Sequence, residues 1–92
     1  MIKSFNHKGL EIFYKTGSTK GIQAIHSNKI SRILSVLDAM SDLNDLGSPA
    51  YRLHPLSGNL KGLWSVTVQA NWRITFKFEG GNVYIVDYQD YH

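Results

Sequence analysis

Three side chains suited to breaking a phosphodiester stand far apart in this sequence: His54, Arg73 and His92. Cleaving RNA without a metal needs a base to take the proton of the 2′-OH and an acid to protonate the departing 5′-oxygen. It also needs a cation beside the phosphorus to hold the charge that builds there. Imidazole is the side chain best poised for proton transfer near neutral pH. A guanidinium grips phosphate oxygens in pairs through its planar fork. Together Arg73, His54 and His92 would supply all three parts. The plainer reading is a basic surface that binds an anion and does no chemistry. His54 lies in "YRLHPLSG", a short strand closed by Pro55, where an isolated imidazole is more often structural. His7 and His26 stand near expected helix starts and read as surface residues. The chain has no glycine-rich phosphate loop, no Gly-x-Ser-x-Gly turn and no metal-ligand spacing, so neither a cofactor nor a metal is expected.

The elements that must position these groups fit in one small domain, residues 1–92. Its 42% hydrophobic and 18% charged residues are a globular composition, although a chain this short buries only a thin core. Cysteine is absent, which excludes a disulfide framework, a thiolate zinc site and a thiol nucleophile. The net charge of +3 and a pI near 9.3 make the chain mildly basic, in keeping with an anionic partner such as nucleic acid. No apolar run approaches the length of a membrane span, and "MIKSFNHKG" lacks the apolar core of a secretory signal. A soluble cytoplasmic protein with no membrane partner is expected.

"MIKSF" reads as a short first strand, after which Asn6 is placed to cap a helix carrying Leu10, Phe13 and Tyr14 and stopped by Gly17. Ser27 is placed to cap a second, longer helix, where Ile30, Ile33, Leu34 and Leu37 form one apolar stripe. Beyond residue 51 the period changes to two. Trp64, Val66 and Val68 alternate with Ser65, Thr67 and Gln69; Trp72, Ile74, Phe76 and Phe78 alternate with Arg73, Thr75, Lys77 and Glu79. A three-residue loop of Gln69, Ala70 and Asn71, with Asn71 left-handed, would set Val68 opposite Trp72, Val66 opposite Ile74 and Trp64 opposite Phe76. "EGGN" then turns into a last strand that is expected to put Tyr84, Val86 and Tyr88 on the dry face. The fold class that follows is α+β: a strand, two helices and an antiparallel meander with the helices on one face. The other face, lined by Ser65, Thr67, Arg73, Thr75 and Lys77, stays open, and the last strand brings Asp90, Tyr91 and His92 to its edge.

The opening "MIKSF", the segment "RLHPLSG", the hairpin "WSVTVQANWRITF" and the closing "VDYQDYH" together resemble the HigB branch of the RelE/ParE superfamily of type II toxin–antitoxin systems, over nearly the whole chain. The resemblance implies a RelE-like fold and a ribosome-dependent mRNA endonuclease that cuts translated message in the ribosomal A site by metal-independent attack of the 2′-OH. It implies His92 as the main acid–base group, Arg73 as the phosphate clamp and His54 as a second acid–base or positioning group. Asp90 and Tyr91 become helpers that orient His92 or the nucleotide. Arg52, Lys61, Lys77 and Asn71 are the expected RNA contacts. The implied partners are the 70S ribosome with its mRNA and a HigA-type helix-turn-helix antitoxin, through which alone operator DNA would be reached. Some members carry Lys where Ser57 stands and Arg where Gln69 stands, so this chain would lean more on Lys61, Lys77 and Arg52. Two other readings remain open: a ParE-like poison of DNA gyrase on the same fold, and a nucleic-acid-binding module without catalysis.

Overall fold

The computed structural model describes residues 1–91. Helix α1, Lys8–Thr16, turns one stripe inward and buries Leu10. Its first turn is capped by His7, whose Nδ1 accepts from the Leu10 N–H at 2.9 Å, and not by the expected Asn6. Gly17 ends the helix at φ 81°, a left-handed position that glycine takes without strain. A single 3-10 turn, Ala24–His26, leads directly into α2, Ser27–Ala39. That entry leaves Ser27 inside the helix, and no side chain caps it. The expected stripe of Ile30, Ile33, Leu34 and Leu37 is the buried one.

Four antiparallel strands follow in the order β1-β2-β3-β4: β1 His54–Pro55, β2 Leu63–Gln69, β3 Trp72–Glu79 and β4 Asn82–Asp90. The "MIKSF" segment lies parallel along the outer edge of β4 through two isolated bridges, Ile2 with Val83 and Phe5 with Val86. It occupies the strand edge there, where open N–H and C=O groups would otherwise face water. Val66, Ile74, Phe76, Val83 and Val86 from the sheet join Leu10 and the α2 stripe in one core. Burying each large side chain of that set contributes about 1.5–3 kcal/mol relative to leaving it exposed.

Two bulges correct the expected register. The β2–β3 turn has two residues, Ala70 and Asn71, so Gln69 and not Val68 stands opposite Trp72. Ala70, at φ 51°, takes the left-handed conformation expected of Asn71. A register shift between Thr67 and Gln69 absorbs Val68, which keeps Val66 opposite Ile74 and Trp64 opposite Phe76. The extra residue restores the phase that a two-residue turn would otherwise break. A second bulge in β4 moves the pairing from Thr75–Asp87 to Lys77–Tyr84, with Ile85 at φ 49° and exposed. Val86 and Tyr88 face the core as expected, but Val83 takes the place given to Tyr84, which instead joins Lys77 on the other face.

Candidate functional site

Directly opposed residues of a sheet project to the same side. One row across the side away from the helices runs His54, Ser65, Thr75, Asp87, and the next runs Thr67, Arg73, Gln89. His54 and Arg73 therefore share a face, two strands and one pleat repeat apart, or about 12 Å between backbones from standard sheet spacings. The middle of this face is not open as expected: Ser65 and Thr75 are 3% and 1% exposed. They are short side chains on the two central strands, and they form a floor between longer neighbours.

The β2–β3 turn organises one end of the face. Arg73 Nη1 donates to the carbonyl of Ala70 at 2.6 Å and to that of Trp72 at 3.3 Å. The carbonyl between them, on Asn71, accepts from the Tyr91 N–H at 2.9 Å. Three successive carbonyls thus hold the guanidinium and the end of the last strand side by side. Among the described residues, the other guanidinium nitrogens of Arg73 have no partner. Tyr91 is half-buried, and its hydroxyl is buried with no hydrogen-bond partner among the described residues. Asp90, expected at the edge of the open face, is opposite Trp72 at the end of β4, a pairing that turns it to the helix side. His92 lies outside the described residues.

The expected RNA contacts are spread around this centre. Asn71 is exposed at the turn. Arg52 is exposed at φ 48°, next to Tyr51, whose carbonyl accepts from Thr67 N–H at 2.7 Å. Lys77 is on the open face, four residues from Arg73, and pairs with Glu79 at 3.1 Å. Lys61 is exposed on the β1–β2 connection, after a 3-10 turn at Gly58–Leu60.

A second cluster on the helix side was not foreseen. His26, read as a surface residue, is 5% exposed. Its Nδ1 is 2.6 Å from the Tyr88 hydroxyl and its Nε2 is 2.9 Å from Gln69 Oε1. A carbonyl oxygen only accepts, so Nε2 carries the proton and Nδ1 accepts from Tyr88. The same Tyr88 oxygen accepts from the Gln23 N–H at 3.4 Å. Tyr88 stacks on Trp72 with ring centroids 4.6 Å apart, and His26 meets Trp72 edge-on. Burial is the main cause that raises the Tyr88 pKa above its usual value; the Gln23 hydrogen bond lowers it, and the Asp90 charge raises it further. Gln69 Oε1 thus accepts from the imidazole, a role that an Arg at this position could not fill. His26 bonds residues 43 and 62 positions away, so no local pattern around it signals its burial.

The fold is that of small RelE-like toxins. YafQ from E. coli shares it at a TM-score of 0.65 and 17% identity, over 98% of this chain and 91% of that chain. The YoeB-YefM complex from Staphylococcus aureus matches at 0.64 and 17%, over 100% and 95%. Residues 3–92 match the family described as the RelE-like toxin of type II toxin-antitoxin system HigB, and the chain belongs to that HigB-like toxin family. It is 47% identical over 92 residues to the endoribonuclease HigB of Proteus vulgaris, covering 100% of both. It is 35% identical over 94 residues to toxin HigB-1 of Vibrio cholerae, covering 100% of this chain and 98% of that protein. No helix among the described residues is long and apolar enough to cross a membrane.

Proposed function

We propose that this toxin is a ribosome-dependent mRNA endonuclease that cuts translated message in the A site without a metal. The observation that carries the reading is the turn at Ala70–Trp72, whose carbonyls hold both the Arg73 guanidinium and the Tyr91 backbone, on the face that also bears His54. His92 follows Tyr91 directly in the sequence. The name of the Proteus vulgaris relative, an endoribonuclease, supports the same activity.

In this mechanism His92 and His54 exchange protons with the attacking 2′-OH and the departing 5′-oxygen, His92 being the main acid–base group. The 2′-oxygen bonds to phosphorus as the P–O5′ bond breaks, leaving a 2′,3′-cyclic phosphate and a 5′-hydroxyl. Arg73 offers the guanidinium nitrogens that have no partner among the described residues to the phosphoryl oxygens as their charge grows. Tyr91 and Asp90 orient His92 or the nucleotide. Asp90 acts from the end of β4, directly before Tyr91 in the chain. Arg52, Asn71, Lys61 and Lys77 steer the RNA backbone. Family membership supports neutralisation by an antitoxin, proposed here as a HigA-type helix-turn-helix protein that brings operator DNA to the complex.

Mapping mRNA 5′ ends after brief expression tests this, with the native chain beside His92→Gln. Cuts inside codons, in reading frame, disappear in the variant. Growth inhibition without mRNA cuts, accompanied by loss of gyrase supercoiling, would replace this reading with the ParE-like one. Undiminished toxicity of the variant would leave a binding module.

A further inference from the structure

The open face carries a polar group that the cleavage chemistry does not use. Asp87 is opposite Thr75, in the His54 row, and Gln89 is opposite Arg73. The Gln89 Nε2 donates to Asp87 Oδ2 at 2.7 Å, and the Asn6 Nδ2 donates to the same oxygen at 3.1 Å from the far side of β4. The second carboxylate oxygen accepts from the Tyr88 N–H at 2.9 Å. A carboxylate only accepts, so it fixes which way each amide points. Both NH2 groups turn towards Asp87, and both carbonyl oxygens turn away from it. Among the described residues nothing donates to Gln89 Oε1, and Gln89 is only half-buried.

We propose that Gln89, locked by Asp87, is a specificity-determining residue that reads the edge of a base beside the scissile phosphate. The proposal rests on the nuclease reading above. A fixed acceptor next to Arg73 takes a hydrogen bond from an exocyclic amino group, which adenine and cytosine present. Guanine and uracil present a carbonyl oxygen at the matching place, and two lone pairs would face each other. An unlocked glutamine would flip and accept either class, so the discrimination comes from Asp87 as much as from Gln89. Asn6 backs the lock from the outer edge by holding the same carboxylate oxygen.

The test compares the base composition at mapped cuts for the native chain, Asp87→Asn and Gln89→Leu, expressed as full chains on the same transcripts. The native chain favours amino over keto bases by about tenfold at one position next to the cut, the scale of a single base-edge hydrogen bond made or lost. Asn at position 87 donates as well as accepts, so the Gln89 amide is freed, and the preference falls to within about twofold of none. Gln89→Leu, which has no acceptor, gives the same flattening, and thermal melting of both variants reports whether the fold is kept. A purely structural role for the pair would lower total cutting and leave the base preference intact, and that result overturns the proposal. A native chain that cuts with no amino preference also overturns it. A native chain that cuts no mRNA at all removes the nuclease reading itself, a distinct failure.

Discussion

Two histidines on opposite sides of one sheet stand in opposite surroundings. His26 is buried, and both ring nitrogens are satisfied by Tyr88 and Gln69. His54 is exposed on β1, and no described residue hydrogen-bonds its side chain. An imidazole whose two nitrogens are committed to the fold is poorly placed to exchange protons with a substrate. His54, with no partner among the described residues and on the same face as a guanidinium, is under no such commitment. The tyrosines repeat the contrast. Tyr88 is bonded into the buried cluster, whereas the Tyr91 hydroxyl has no partner among the described residues.

Exchanging each histidine for alanine is the most direct way to break this comparison. His54→Ala is expected to lower mRNA cutting by about a hundredfold or more, the scale of a lost proton-transfer group. Its stability should move by no more than about 0.5 kcal/mol, as for an exposed position. Cutting in cells and thermal melting check the two halves. A large fall in Tm with unchanged cutting would make His54 the structural histidine.

His26→Ala should do the reverse. It leaves the Tyr88 hydroxyl proton and the Gln69 carbonyl without their imidazole partner beside a cavity, which costs about 2–4 kcal/mol. For a domain of this size that lowers Tm by roughly 10 °C or more. Purified protein below the new Tm should still cut translated mRNA at a comparable rate. A strong loss of cutting in folded protein would instead place His26 in the reaction.

The same contrast marks what was legible before any coordinates. Period-two alternation put Arg73 on the open face, because alternation depends only on the pleat, whereas the side of His54 follows from its pairing with Ser65, which the short β1 does not announce. The core stripe of α2 was legible for a similar reason, a period written into consecutive turns. The bulges at Val68 and Ile85 were not. Each is marked by a left-handed residue without the usual glycine, Ala70 in the adjoining turn and Ile85 itself, and tertiary pairing overrides the local preference there. The side of Asp90 was not read from the sequence, which placed it only at the edge of the open face; its partner Trp72 belongs to the dry set, while Gln89 pairs with Arg73. His26 looked like a helix-start surface residue because its partners come from β2 and β4, and no sequence neighbour shows them.

The smallest expected effect sharpens the comparison from the Tyr88 side. Tyr88→Phe keeps the ring on Trp72 but removes the donor to His26 and the acceptor for Gln23. It should therefore cost about 1–2 kcal/mol near neutral pH, less than removing the imidazole itself. Its signature is in alkali. The folded-state pKa of Tyr88 is raised above the ordinary tyrosine value of 10.0, first by burial. Between the unfolded and folded values the native state therefore holds a proton that the unfolded chain has lost. This contribution is complete below pH 10 and is lost as pH rises through the folded value. Thermal melts across that window should fall less steeply for Tyr88→Phe than for the native chain. Some slope should persist in the variant, because Tyr14 is also raised, by burial and by its bond to Asp38. Parallel melting curves for the two proteins above pH 10 would mean that the Tyr88 hydroxyl is not held by the buried cluster, and the division between the two sides of the sheet would lose its clearest marker.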